Sequence, residues 1–265
     1  FPQIQNTKVK LLMKMPGVGK KVKKRICEQV YQAFGGNLYE VIIGGAALNQ
    51  EIESFLKDID FPFTVGYGAT ECAPIITYSD WHDFVPMSCG REVVHMEVKI
   101  DSENPETVPG EILARGLNVM LGYYKNDEAT AQTIDKDGWY HTGDLGLMDK
   151  GGNVFIKGRS KNMLLGPNGQ NIYPEEIEDK LNSMTFAMES VVVQRDGKLV
   201  GLVHPDFDEV QAMGLSRDDL QSLMEENRVQ VNANLPVYCK IAAIEIHDEE
   251  FEKTPKKSIK RYLYK

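Results

Sequence analysis

Residues 39–71 read YEVIIGGAALNQEIESFLKDIDFPFTVGYGATE. The strand-like run Tyr39-Glu40-Val41-Ile42-Ile43 enters Gly44-Gly45. Asn49 suits a helix N-cap, because its side-chain oxygen can accept from the free N–H groups of the first turn. Behind it Ile52, Phe55, Leu56 and Ile59 recur at the helical period. Phe61 to Val65 is a second short buried strand, and it runs into Gly66-Tyr67-Gly68. Strand, helix and strand in this rhythm predict a parallel pair joined by a crossover helix.

Upstream, Arg25 to Phe34 reads as a helix stopped by Gly35-Gly36. Downstream, the pattern turns to β from about Glu92. His95 to Ile100 alternates, Gly110 to Arg115 follows a Pro-rich turn, and Asn153 to Lys157 closes the region. Asn126 caps a short helix through Ile134. After Arg159 the pattern restarts as a small α+β unit. Pro174 sits at a first helical position with Glu175 and Glu176 in the first turn. Asp196-Gly197 is a two-residue hairpin signal between Val191–Gln194 and Leu199–Val203. Ser216, Asp218 and Asp219 open a helix to about Asn232, and Lys240 to Ile246 is a last strand. The expected class is α/β followed by α+β, with one domain over 1–159 and a second over 160–265.

The 265 residues are 42% hydrophobic and 26% charged, ordinary for a folded globular chain. No apolar run approaches the roughly 18 residues of a membrane span. Residues 1–18 lack the pattern of a signal peptide. Cys27, Cys72, Cys89 and Cys239 share no metal-ligand spacing, so reduced thiols in a cytoplasmic protein are expected. The net charge is −9. Eight basic residues and no acidic one lie between Lys8 and Arg25, which leaves 22 basic against 39 acidic residues elsewhere. Such a segment suits an anionic membrane surface, at roughly 1 kcal/mol per charge near the surface, or a solvated face balancing an acidic body. The acidic balance argues against nucleic acid as a partner.

Four Gly-containing segments stand at strand ends. Small residues at Gly44-Gly45-Ala46-Ala47 let backbone approach a flat ligand closely. In Gly66-Tyr67-Gly68-Ala69-Thr70-Glu71 a hydroxyl and a carboxylate follow a Gly turn, a pair suited to a phosphate and its Mg²⁺; a bare surface turn is the other reading. Asp144 reads as an acidic residue after a strand, a common holder of ribose hydroxyls. Gly158-Arg159-Ser160-Lys161 places cations at the expected domain boundary. Gly17-Val18-Gly19-Lys20 lacks the spacing of a phosphate loop and is set aside. His141 has no nucleophile beside it and suits a packing or hydrogen-bonding role.

The order of these segments, continued by Gly110-Glu111-Ile112, Gly122-Tyr123, Trp139 to Gly146, Gly158-Arg159 and Asn168 to Glu178, resembles the adenylate-forming enzyme superfamily. The resemblance covers about Cys27 to Arg261. Ala33-Phe34-Gly35-Gly36-Asn37-Leu38 is most similar to bacterial long-chain fatty acyl-CoA synthetases. It implies the latter part of a large AMP-binding domain followed by a mobile carboxyl-terminal domain. It implies activation of a fatty acid with ATP and Mg²⁺, then transfer to CoA, giving acyl-CoA, AMP and pyrophosphate. Residue by residue, it places Gly45, Ala46 and Tyr67 at the adenine, with Gly68 beside them, Thr70 at the α-phosphate and Glu71 on Mg²⁺. Asp144 and Arg159 fall at the ribose, Lys161 at the pivot and Gly169 near the pantetheine channel.

Two departures are visible. The superfamily's Ser/Thr/Gly-rich phosphate loop does not occur in these residues, so the chain is expected to be a fragment that does not adenylate alone. The superfamily pattern Thr-x-x-Gly-Lys-Ile-x-Arg falls on Thr254 to Arg261, with Ser258 in the lysine slot and Lys257 the nearest substitute on an extended tail. A carrier-protein ligase, a luciferase-like oxidase and a non-catalytic nucleotide-binding module share these motifs and stay open.

Overall fold

A computed structural model of the chain describes residues 12–264 apart from Lys14, Gly17, Ala46 and Lys256. The chain divides into two compact units. The first runs up to Thr142 and adds Gly146–Ile156; the second comprises Gly143–Leu145 and the chain from Lys157 onward.

In the first unit, helix α1 spans Val18–Ala33 and strand β1 spans Val41–Ile43. Helix α2 spans Gln50–Asp58 and strand β2 spans Phe63–Val65. β1 and β2 pair in parallel, with Val41 beside Phe63 and Ile43 beside Val65, so the crossover expected from residues 39–65 is present. Asn49 caps α2 as its position requires, accepting from the N–H groups of Glu51 and Ile52. The buried face of α2 differs from the expected one. Ile52 is exposed and Glu53 is buried, because the Glu53 carboxylate accepts from the Met87 N–H at 2.5 Å. The helix before β1 begins seven residues earlier than expected, since Val22, Ile26 and Val30 continue its packed stripe. Gly19 is buried inside that helix, where a Cβ would stand 2.3 Å from the Met13 carbonyl oxygen. Gly35 and Gly36 end the helix with φ of 92° and 66°, the left-handed backbone that glycine adopts cheaply.

Strands β3 (Tyr67–Gly68), β4 (Ile75–Tyr78) and β5 (Arg91–Glu92) form a three-stranded sheet. Strands β6 (Met96–Asp101), β7 (Gly110–Gly116), β8 (Tyr140–Met148) and β9 (Val154–Arg159) form a sheet in that order. Alternate residues of β6 are buried, matching its sequence alternation. Helix α3, Asp127–Thr133, starts at Asn126, which accepts from the Ala129 N–H. Asp144 does not follow a strand as expected. It lies within β8, because the chain stays paired past Gly143, whose φ of 71° only interrupts the extended path.

The second unit holds the short pair β10 (Leu164–Leu165) and β11 (Asn171–Ile172) and helix α4, Pro174–Asn182. Strands β12 (Ala187–Arg195) and β13 (Lys198–Pro205) form the expected hairpin, with Asp196 and Gly197 both at positive φ. Helices α5 (Phe207–Ala212) and α6 (Arg217–Ala233) precede β14 (Ile241–Ile246), which pairs in parallel with β13. A reciprocal capping box between Ser216 and Asp219 opens α6. One core joins α4 and α6 to this sheet through Ile177, Leu181, Leu220 and Met224. A second cluster of Val191, Val193, Val200, Leu202 and Phe251 takes in Ile259 and Tyr264 of the tail. The tail is not extended: Lys253 and Ile259 form an antiparallel bridge around a turn at Thr254–Lys257.

Candidate active site

Parallel pairing sends β1 and β2 out of the sheet at the same end. Their glycine turns therefore lie side by side. Gly66 N–H donates to the Ile43 carbonyl at 2.9 Å, and a Cβ on Gly44 would stand 3.1 Å from the Gly66 carbonyl oxygen. Gly45 follows with φ 85°. Ala46 lies outside the described residues. Beyond Gly66 the chain is more than a turn. Tyr67 and Gly68 pair with β4, and a Cβ on Gly68 would stand 2.0 Å from the Pro74 carbonyl oxygen. Only glycine fits that approach.

Thr70 and Glu71 start a short 3₁₀ turn, Thr70–Cys72, directly after β3. The Glu71 carboxylate accepts from the Tyr123 hydroxyl at 3.0 Å, and its backbone carbonyl accepts from the Met120 N–H at 2.7 Å. Asn118 adds two bonds, donating to the Cys72 and Ile75 carbonyls at 2.7 and 2.9 Å. Burial and the Glu71 carboxylate raise the Tyr123 phenol above its ordinary value. The buried Tyr140 phenol is raised too, by burial first and Glu71 second. Glu71 thus faces two tyrosines that stay protonated. The Gly122-Tyr123 and Trp139-Tyr140 pairs were visible as motifs, but no periodicity reveals that both phenols converge on one carboxylate.

Burial raises the adjacent Cys72 thiol to about 11 and the Cys89 thiol to about 12. Thiols so raised are poor nucleophiles at neutral pH. All four cysteines are unpaired. His141 bonds Glu111 through Nδ1 at 2.9 Å, and Thr142 donates to the Ile112 carbonyl at 2.7 Å.

A second group lies on the other unit. Asp144 is 8% exposed, and the Arg159 Nε stands 3.0 Å from its Oδ1, with the Arg159 side chain 66% exposed. Lys161 is exposed in the 3₁₀ turn Ser160–Asn162, which Asn162 ties to α4 by donating to Glu175 at 2.6 Å. Gly169, at φ 79°, donates to the Gly166 carbonyl in the turn between β10 and β11. Lys257 is exposed in the tail turn with φ 60°, its N–H donating to the Thr254 carbonyl at 2.8 Å. That left-handed residue stands at the glycine slot of the superfamily pattern, so Ser258 stays in the lysine slot. Lys260 is held by Glu252 at 3.0 Å.

Residues 2–124 match the family described as AMP-binding enzyme. Over those residues the chain is similar to AMP-binding enzymes. The chain is 37% identical over 193 residues to the putative acyl-CoA synthetase YngI of Bacillus subtilis, covering 70% of this chain and 32% of that protein. It is 37% identical over 178 residues to a long-chain-fatty-acid–CoA ligase of Escherichia coli, covering 65% and 28%. It is 38% identical over 177 residues to 4-coumarate–CoA ligase 1 of Glycine max, covering 62% and 60%. The chain thus spans about a third of the first two relatives. Its fold matches the ATP-bound RpMatB-BxBclM chimera with a TM-score of 0.71 at 24% identity, over 97% of this chain and 49% of that one. O-succinylbenzoate coenzyme A synthetase from Bacillus subtilis, in complex with AMP, gives 0.70 at 22% identity, over 93% and 49%. In this α/β fold the glycine turns follow the carboxyl ends of the paired strands β1 and β2, the place where open parallel sheets bind ligands.

Proposed function

We propose that the whole protein is an acid–thiol ligase that activates a long-chain fatty acid with ATP and passes the acyl group to CoA. The observation that carries this reading is the juxtaposition of the two glycine turns at the ends of β1 and β2, followed directly by Thr70 and Glu71. Relatives named as long-chain-fatty-acid–CoA ligase and acyl-CoA synthetase support the choice of acid and of thiol.

In this reading Gly45, Ala46 and Tyr67 border the adenine, with Gly68 beside them. The Thr70 hydroxyl donates to the α-phosphate. Glu71 fits a Mg²⁺ ligand: Mg²⁺ takes one or two carboxylates plus substrate phosphates, and Glu71 is a partly exposed carboxylate steadied by Tyr123. Bound Mg²⁺ supplies charge neutralisation at the phosphates. The fatty-acid carboxylate oxygen attacks the α-phosphorus, and the bond to the bridging oxygen breaks as pyrophosphate leaves. The CoA thiolate then attacks the acyl carbon and AMP leaves. Asp144 and Arg159 hold the ribose hydroxyls. The domain from residue 160 pivots about Lys161 between the two steps, the Gly169 turn approaches the pantetheine arm, and Lys257 supports charge growing at phosphorus. Residence is cytoplasmic, which the unpaired thiols suit, with membrane-surface contact through Lys8 to Arg25. Of that segment Lys20, Lys21, Lys24 and Arg25 are exposed on α1; Lys8, Lys10 and Lys14 lie outside the described residues.

The test is acid-dependent exchange of labelled pyrophosphate into ATP by the whole protein, with palmitate and 4-coumarate compared. Exchange roughly tenfold or more faster with palmitate supports the long-chain assignment. Faster exchange with coumarate would move the substrate class.

A further inference from the structure

We propose that Glu178 and Arg261 form a clasp that positions the tail turn carrying Lys257. The proposal rests on the reading above in which a tail lysine assists adenylation. Glu178 sits on α4, 7% exposed. One carboxylate oxygen accepts from the Val192 N–H of edge strand β12 at 2.6 Å, and the other accepts from Arg261 Nη2. The two charges are 83 positions apart in sequence. Both side chains are mostly covered, 10% and 21% exposed.

Arg261 directly follows the tail hairpin. The Lys260 N–H donates to the Glu252 carbonyl at 2.8 Å, closing the hairpin's base. The Glu252 N–H donates to the Tyr264 hydroxyl at 2.7 Å, and the Tyr264 ring packs edge-on against Phe251 at 5.0 Å and His247 at 5.4 Å. On the outgoing arm, Lys253 pairs with Glu189 of β12 at 2.7 Å. The outgoing arm is therefore fastened to β12 and the end of the return arm to α4, while the tip at Pro255 and Lys257 stays exposed. A buried ion pair gains little stability over an apolar pair of the same shape, and its best-attested use is to fix one arrangement. Here the arrangement fixed is the height and direction of the turn. A long lysine stem gains catalytic effect only when its root is held, because misplacement by about 1 Å costs roughly a hundredfold. Arg261 acts through Lys257 and touches no reacting atom.

The experiment compares Arg261→Gln, Arg261→Lys and Lys257→Ala in the whole protein, measuring pyrophosphate exchange and, separately, thioester formation from preformed acyl-adenylate. Arg261→Gln is expected to lower the exchange kcat by roughly tenfold, with KM for ATP and thioester formation within about twofold of the parent. Arg261→Lys, which keeps the charge, is expected to restore most of the loss. In the present chain, amide exchange over residues 252–260 is expected to quicken in Arg261→Gln while β12 and β13 keep their protection. Parent-like exchange kinetics in Arg261→Gln beside a crippled Lys257→Ala would overturn the clasp and leave the lysine reading intact. Equal loss in both half-reactions, or unchanged amide exchange in the tail, would overturn it too. A neutral Lys257→Ala would remove the lysine reading and with it the purpose of the clasp.

Discussion

The Arg159 guanidinium stands 3.0 Å from the Asp144 carboxylate, although the two residues lie on different strands and Asp144 is nearly buried. A carboxylate held this way keeps one edge for its partner and presents a fixed direction to a ligand hydroxyl. Asp144→Ala in the whole protein is expected to weaken ATP binding by about 1.5–3 kcal/mol, the range for hydrogen bonds to a charged group. Isothermal titration calorimetry measures it; an unchanged Kd would place the ribose elsewhere.

That pairing marks where sequence reading stops. The Asn49 cap, the Asp196-Gly197 hairpin and the helix start at Ser216 were legible because each is decided within four residues. The parallel β1–β2 pair was legible because two short strand-like runs, each ending at glycines, flank a helix whose apolar residues recur at the 3.6 period. Glu178 with Arg261, and Tyr123 and Tyr140 with Glu71, were not. Their partners lie 83, 52 and 69 positions away, and no local pattern encodes such a meeting. The buried Glu53 shows the same limit, since its partner is a backbone N–H 34 positions on.

Gly68 tests the close backbone approach at the site. The Pro74 carbonyl oxygen occupies the place of a Cβ, at 2.0 Å, and neither backbone can give way cheaply. Gly68→Ala is expected to destabilise the first unit by about 1–3 kcal/mol, the cost of overpacking. Urea unfolding of the present chain checks it, and a midpoint equal to the parent's would show that the β3–β4 approach is looser than described.

Glu178 sets a pH dependence. Burial raises its carboxyl from 4.5 to about 7, despite the opposing charge of Arg261. Between those two values the folded chain holds a proton that the unfolded chain has released, so this group's contribution to stability falls as pH rises from about 4.5 to about 7. Glu178→Gln cannot titrate. The stability difference, variant minus parent, is therefore expected to grow in the variant's favour from pH 5 to pH 8 in parallel urea titrations. The ion pair with Arg261 is thus complete above about pH 7, and a difference independent of pH would mean that Arg261 keeps Glu178 ionised down to pH 5 as well.

The tail lysines separate by their partners. Lys260 is engaged by Glu252, while Lys257 stands exposed on the turn. In the whole protein Lys257→Ala is expected to slow adenylation by about a hundredfold, with thioester formation from preformed acyl-adenylate nearly unchanged. Lys260→Ala is expected to stay within about threefold. Crippled adenylation in Lys260→Ala beside a neutral Lys257→Ala would assign the role to the other lysine.

In the proposed reaction the whole protein joins a carboxylic acid to a free thiol through an adenylate. The deciding measurement incubates the whole protein with palmitate, ATP, Mg²⁺ and free CoA and follows nucleotides and thioester together. One AMP, one pyrophosphate and one palmitoyl-CoA for each ATP consumed is the predicted result. AMP and pyrophosphate without palmitoyl-CoA, or ADP in place of AMP, would contradict it.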